Sequence, residues 1–368
     1  SYYPTKIGVM HPNLGGRDLV GEMVAACRAN DINVPIYHTV QWDERSAGER
    51  PQWRVIKAVN SAFQGGSTEN SAMNQLDACW HPLCLSNVEY VDQVIAQALE
   101  TIELYNPDGL FMDILLPWEC VCGNCIESMR KSGLDPNKSE DRLRNHRALI
   151  MNYYRRLWDA VQSKYPGMRI FNNSGHIYKG ERERWRYFTH LELESLPTGG
   201  WGYDHFPVSA RYANTLGMEY LGMTGKFHTT WGEFGGFKRP AALEYECALM
   251  AALGARCSIG DQLHPCGKMD RSTYRIIAPA YKRIAHIEEY LPGSSPVSEI
   301  AILSAESIHH SRDFEKNDIG AARILLECRE MFDVIDGDAN FKKYKLLILP
   351  DEITLDPKLG RKIAGYLK

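Results

Sequence analysis

The chain has 368 residues, 42 Lys+Arg against 46 Asp+Glu, a net charge of −4, and 44% hydrophobic and 24% charged residues. That length exceeds one ordinary core and predicts two domains in a normal globular composition. No basic stretch is long enough to follow a phosphate backbone, and no apolar run approaches the roughly 18 residues needed to cross a bilayer, so neither nucleic acid nor a membrane is an expected partner.

Short apolar runs alternate with longer helical patterns, the signature of repeated β/α units. Lys6–Met10 reads as a first strand, followed by a helix over Leu19–Asn30, and Asn33–His38 as a second. Ala78–Leu85 reads as a third, although its Pro82 is awkward in a strand. The helix Glu89–Tyr105 leads to Gly109–Asp113, a buried strand, and the helix Asp141–Tyr165 to the strand Met168–Asn173. Thr189–Glu194, Met218–Met223 and Ala255–Ile259 complete eight, with helices over Leu243–Leu253 and Thr273–Tyr290. The expected fold class is α/β, with a (β/α)8 TIM barrel over 1–292. Leu291–Val297 (LPGSSPV) is a linker by composition. The pattern then restarts: strand Glu299–Ser304, helix Ile319–Phe332, strand Tyr344–Pro350, helix Pro357–Leu367. This reads as the first half of a flavodoxin-like domain over 297–368 that stops early, so a longer natural chain is expected.

Chemistry in such barrels sits at the C-terminal ends of the strands, and polar residues gather there. In strand order they are His11; His38 with Gln41, Trp42 and Asp43; Trp80 and His81; Asp113; Asn172 and Asn173; Glu192 and Glu194; His228, Trp231 and Glu233; and Asp261, Gln262 and His264. Any one of them could be a helix cap or a satisfied core group, but such groups in register at every strand end point to a site. Glycoside hydrolysis needs two carboxylates across the scissile bond. Asp113, the lone charge closing the run Leu110-Phe111-Met112, is the candidate nucleophile. Glu192 and Glu194, two apart on a strand, face the same way. Glu194, nearer the mouth, is the candidate acid/base, with Glu192 and Glu233 as rivals. Cys120-Val-Cys122-Gly-Asn-Cys125 offers three thiolates in one loop, so a structural zinc needs one more ligand; Cys84 and Cys79 are the choices. No catalytic cofactor is expected. The first residues, Ser1-Tyr2-Tyr3-Pro4, lack a signal-peptide pattern, so a cytoplasmic, bacterial-type protein is expected, although a chain with its leader removed would look the same.

The stretch DGLFMD, then FNN, then a Glu-bearing strand, resembles the α-L-fucosidases of glycoside hydrolase family 29. The resemblance implies that Asp113 is the nucleophile, that Asn172-Asn173 is that family's Asn-Asn pair, and that the acid/base falls on Glu192 or Glu194. HLELESLP, WGEFGG and GDQLHP are similar to phrases of family 151 fucosidases and related barrels. One departure is Ser174, where family 29 carries Arg. The segment after the linker resembles the trimerisation domain of family 42 β-galactosidases, which implies a homo-oligomer, trimer or dimer. The cysteines resemble that family's zinc cluster, and the resemblance makes Cys84 the fourth ligand. The reading is a retaining α-L-fucosidase acting on terminal fucose. His11, His38, Trp42, Trp80, His81, Asn172, Asn173, His228, Trp231, Asp261 and His264 would contact the sugar. One alternative is a β-galactosidase-type hydrolase with Asp113 as acid and Glu233 as nucleophile, against which stands Met112-Asp113 where that family has Asn-Glu. Another is a non-catalytic sugar-binding barrel, which would have lost these carboxylates.

Overall fold

A computed structural model of the chain describes residues 1–58, 81–173, 175–229, 231, 233–264 and 266–368. The chain forms two compact units, Ser1–Ser174 and Gly175–Lys368. Its nine described strands make three sheets, each three-stranded and wholly parallel.

In the first unit, β1 (Pro35–Thr39), β2 (Gly109–Asp113) and β3 (Ile170–Asn172) lie in the order β1-β2-β3. β2 is central, which explains its apolar run: Leu110 and Met112 are wholly buried. The helices Val88–Tyr105 and Ser139–Lys164 are the crossovers. The first buries Val91, Val94, Ile95, Ala98 and Ile102, the three-and-four spacing of one helix face, and ends where Asn106 turns left-handed at φ 43°. The second carries Arg142, which meets the wholly buried Glu119 through Nε at 3.0 Å and Nη2 at 2.5 Å.

Two expected strands are corrected here. Lys6–Met10 forms none: Ile7 and Val9 are exposed, and the Lys6 N–H is taken by the Glu100 carboxylate at 2.6 Å instead of a ladder. In Ala78–Leu85, residues 78–80 lie outside the described residues, and Pro82 and Leu83 make only isolated antiparallel bridges to Trp42 and Arg54. Proline cannot donate to a ladder.

In the second unit, β4 (Leu191–Glu194), β5 (Tyr220–Gly225) and β6 (Arg256–Gly260) pair in that order. The helix His205–Asn214, which the sequence did not announce, is buried from His205 through Ala213. It packs closely on β5 because Gly222 has no Cβ; one built there would sit 2.6 Å from the Phe206 ring. Beyond residue 297, β7 (Ile300–Leu303) lies between β8 (Phe332–Ile335) and β9 (Leu346–Ile348). β8 is a strand the sequence reading lacks, and the expected helix Ile319–Phe332 overlaps it at Phe332. That helix, Glu315–Glu327, stops earlier, just before Arg329 turns left-handed at φ 62°.

The linker at 291–297 does not separate compact units; both sides of it belong to the second. Ionic contacts join the two stretches. Arg182 donates to both oxygens of Asp336, at 2.7 and 3.0 Å, and the Tyr212 hydroxyl donates to Asp336 at 2.8 Å.

The buried pair in the first unit gives a stability prediction. Arg142→Met strands a fully buried carboxylate and should cost about 3–5 kcal/mol in urea unfolding. Arg17→Met, whose partner Glu22 is in solvent, should leave the midpoint where it is.

Candidate functional site

Strand register decides which side chains share a face. Tyr37 pairs with Phe111, and Thr39 with Asp113. Parallel partners point the same way, so one face carries Tyr37, Phe111 and Asp113. Ring contacts agree: Tyr37 meets Phe111 edge-on at 5.2 Å, and Phe111 stacks on Phe171 at 4.7 Å. Asp113 closes this face, half-buried. Its Oδ2 accepts the Tyr37 hydroxyl at 2.8 Å and its Oδ1 accepts the Ile114 N–H at 2.9 Å. Ile114 itself adopts φ 63°, a strained setting for a β-branched residue.

The same register places two of the expected sugar contacts on the other face of the sheet. His38 pairs with Met112, and Met112 with Asn172, on the opposite face. His38 Nε2 bonds Thr101 Oγ1 of the crossover helix at 3.0 Å, so His38 belongs to strand–helix packing. Asn172 is buried there, and neither polar atom of its side chain has a hydrogen-bond partner among the described residues. Asn173 is also buried, and its N–H donates to Met112 O at 2.9 Å.

Three loops interlock beside Asp113. The Val40 N–H donates to the Asp113 carbonyl, the Leu83 N–H to the Gln41 carbonyl, and the Leu116 N–H to Gln41 Oε1. Asp43 caps the helix Glu44–Glu49. Glu44, which sequence reasoning missed, accepts from His81 twice, at N (2.7 Å) and Nδ1 (2.8 Å). This pins the buried imidazole and leaves its Nε2 without a hydrogen-bond partner among the described residues. The spacing of 37 residues hid that pair. Trp42 bridges to Pro82, His11 is exposed and caps the turn Pro12–Leu14, and Trp80 lies outside the described residues.

In the second unit, Glu192 and Glu194 are both buried on β4. Trp231 Nε1 donates to Glu194 Oε1 at 2.5 Å. The Trp231 ring lies over Gly260, the last residue of β6, where any Cβ would collide with it. Glu233 is occupied otherwise. It is half-buried, and its Oε2 takes the Thr229 N–H at 2.6 Å and the Thr229 hydroxyl at 2.8 Å, which hold its carboxyl below the usual range. Such a carboxylate is a poor proton donor near neutrality. His228 is exposed, Asp261 half-buried, and His264 exposed with Nδ1 3.1 Å from Cys266 Sγ.

Cys84, Cys120, Cys122 and Cys125 converge, with sulfur atoms all within 4.8 Å of one another, all buried and none in a disulfide. Cys84 and Cys125 are 3.4 Å apart, Cys84 and Cys122 3.9 Å. A tetrahedral zinc with bonds of about 2.3 Å sets its sulfurs about 3.8 Å apart, so the donor set fits that ion. The Ile56 and Cys122 N–H groups donate to Cys120 Sγ, each at 3.4 Å, as a thiolate invites. Cys79 lies outside the described residues.

Each unit thus closes a parallel strand with an oriented carboxylate, Asp113 on β2 in the first and Glu194 on β4 in the second. Residues 1–114 match the family model "Hypothetical glycosyl hydrolase 6". The whole chain is similar to α-L-fucosidase isoenzyme 2 from Paenibacillus thiaminolyticus, at 42% identity and TM-score 0.92, spanning 55% of that enzyme. It is also similar in fold to the β-galactosidase Gan42B from G. stearothermophilus, with 12% identity, TM-score 0.77, 98% of this chain and 63% of that one. A third, from Rahnella sp. R3, gives 14% identity and TM-score 0.71 over 95% of this chain and 61% of that one. The chain thus spans little more than half the length of these relatives. No curated protein matches it. These likenesses put the chain with the glycoside hydrolases of the α-L-fucosidase type. None of the described helices is long and apolar enough to cross a membrane.

His38 makes the first unit acid-sensitive. Burial lowers it from 6.5 to about 4. The unfolded chain therefore binds the extra proton between those values, and the stability His38 contributes is intact above about 6.5 and lost as pH falls towards 4. His38→Gln should flatten that part of the urea-midpoint profile, measured between about pH 4.5 and 7.

Proposed function

We propose that this chain carries the catalytic carboxylates of a retaining α-L-fucosidase acting on terminal fucose. The observation that carries the reading is the anchoring of Asp113, a strand-end carboxylate with both oxygens oriented by donors. The choice of sugar leans on the 42% likeness to the Paenibacillus enzyme. The two unit boundaries of the reading are a (β/α)8 barrel over 1–292 and a flavodoxin-like trimerisation-type domain from 297.

Asp113 attacks the anomeric carbon, and the glycosidic C–O bond breaks as Glu194 gives its proton to the leaving oxygen. Glu194 then takes a proton from water, which attacks the same carbon and releases Asp113. A carboxylate oxygen has lone pairs to spare while accepting one hydrogen bond, so Tyr37 and Ile114 orient the nucleophile without consuming it. Trp231 fixes the rotamer of Glu194. Glu192 lies two residues before Glu194 on the same face of β4. His81, aligned by Glu44, and Asn173 are the proposed hydroxyl ligands in the first unit, with Trp231 in the second. Glu233's hydrogen bonds from Thr229, which keep it ionised, weigh against it as the rival acid/base.

We also propose a structural zinc on Cys84, Cys120, Cys122 and Cys125. Such an ion cross-links the segment before the helix Val88–Tyr105, which carries Cys84, to the loop that follows the Asp113 strand, and takes no part in the chemistry.

Hydrolysis of a nitrophenyl glycoside panel tests the first proposal. Turnover is expected on the α-L-fucoside, with the α anomer of fucose as first product by NMR. Asp113→Ala should lose it and regain it with azide, and Glu194→Ala should lower kcat by about 10²–10⁴. Turnover on the β-galactoside alone, or an Asp113→Ala variant as active as the parent, would sink the assignment. For the zinc, Cys84→Ser should lose one metal equivalent and unfold at a lower temperature; unchanged metal content would remove it.

A further inference from the structure

Deep in the second unit, three residues from three separate segments converge. His176 lies in the loop after β3, His205 opens the helix His205–Asn214, and Glu315 opens the helix Glu315–Glu327. One donor atom from each lies within 4.8 Å of the others. The polar atoms left without a hydrogen-bond partner among the described residues are His176 Nδ1, His205 Nε2 and Glu315 Oε1. The first and last are 3.9 Å apart. Both histidines are buried, the side chain of His176 completely.

Leaving three buried polar atoms unpaired costs about 1–3 kcal/mol each. Here the unpaired atoms face one another, so a single cation among them would satisfy all three. The far side of each ring is already committed. His176 Nε2 lies 2.7 Å from Glu306 Oε1, and His205 Nδ1 lies 3.1 Å from Ser195 Oγ. A carboxylate or hydroxyl on one ring nitrogen sets the tautomer and presents the other nitrogen's lone pair, which is how metal-binding histidines are oriented.

We propose that His176, His205 and Glu315 bind a divalent transition-metal ion of the zinc class, distinct from any ion on the four cysteines. Two imidazoles and one carboxylate suit zinc and its neighbours; magnesium and calcium prefer oxygen ligands throughout. Zinc–nitrogen bonds of about 2.0–2.1 Å place tetrahedral ligand atoms about 3.3 Å apart, so the 3.9 Å gap closes with a small side-chain rotation. The fourth position is open to water. His176 and His205 precede the linker at 291–297 and Glu315 follows it, so the ion would clip the two stretches together. The competitor for the carboxylate is Lys179, whose Nζ is 2.5 Å from Glu306 Oε2 and 3.6 Å from Glu315 Oε1. Without metal, the cluster is a buried ion-pair network centred on that ammonium.

The test counts metal, so it is independent of the sugar chemistry proposed above. Wild type, Glu315→Gln, His205→Gln and Cys84→Ser are equilibrated with zinc, freed of loose metal and analysed for metal per chain. Wild type should hold one equivalent more than Glu315→Gln and His205→Gln, and Cys84→Ser should keep that equivalent. Cobalt(II)-loaded protein gives a second readout. Cys84→Ser should show d–d bands without thiolate charge transfer, and Glu315→Gln should lack that component. Equal metal content in wild type and both cluster variants would overturn the proposal. Should either variant fail to fold by circular dichroism, the wild-type cobalt spectrum decides, and a purely thiolate-type spectrum overturns it.

Discussion

Glu306 is a carboxylate almost wholly out of water, at the start of the short helix after β7. Burial alone would raise its pKa, yet the Lys179 ammonium beside it and hydrogen bonds from His176 and Lys179 hold it below the usual carboxylate range. Lys179, equally buried, is pushed up in return by Glu306 and Glu315 despite its desolvation. Neither could stay ionised without the other, because removing one partner of a buried pair leaves a charge that water cannot reach. The loop that carries His176 and Lys179 is therefore bound to the segment beyond the linker. Asp336 repeats the arrangement with Arg182 and Tyr212. This is why residues on the two sides of a flexible-looking LPGSSPV stretch form one compact unit.

The acidic residues of this chain divide by what already occupies their oxygens. Glu119 is taken by Arg142, Glu246 by Lys238 and Thr224, and Glu233 by its own turn. These groups are structural in the plain sense that their lone pairs are spent on neighbours that fix the backbone. Asp113 and Glu194 differ. Each is gripped by side chains that set its direction, a phenol in one case and an indole in the other, and neither grip is a full ion pair. A carboxylate whose direction is set by such donors is the kind that can take part in a reaction.

Much of this was legible in the sequence, and the failures have physical causes. β2 was read to the residue because a central parallel strand is buried on both faces and shows as an unbroken apolar run closed by one charge. β8 was missed because four buried residues carry too little periodicity to separate a strand from a helix tail. Lys6–Met10 has strand-like residues, but the Lys6 N–H is claimed by Glu100, far along the chain, and those of Ile7 and Gly8 by the Thr5 hydroxyl. His38 and Asn172 were counted with Asp113 because a strand end is visible in sequence whereas the side of the sheet is not; one step of register moves a residue to the opposite face. The four cysteines were readable because three share a loop. His81 with Glu44, and His176 with His205 and Glu315, come from distant segments, and nothing in their spacing announces them.

Ile114 shows what this arrangement demands of the backbone. A branched side chain is held in a left-handed conformation that disfavours it by about 1–2 kcal/mol, directly after Asp113, whose Oδ1 accepts its N–H. Glycine there would relax the chain and give a sturdier protein, but it would also let the turn sample other shapes and the carboxylate swing with it. The position is thus a dial between robustness and aim. Selection for heat resistance alone would turn it towards glycine, whereas selection for turnover would keep the strain.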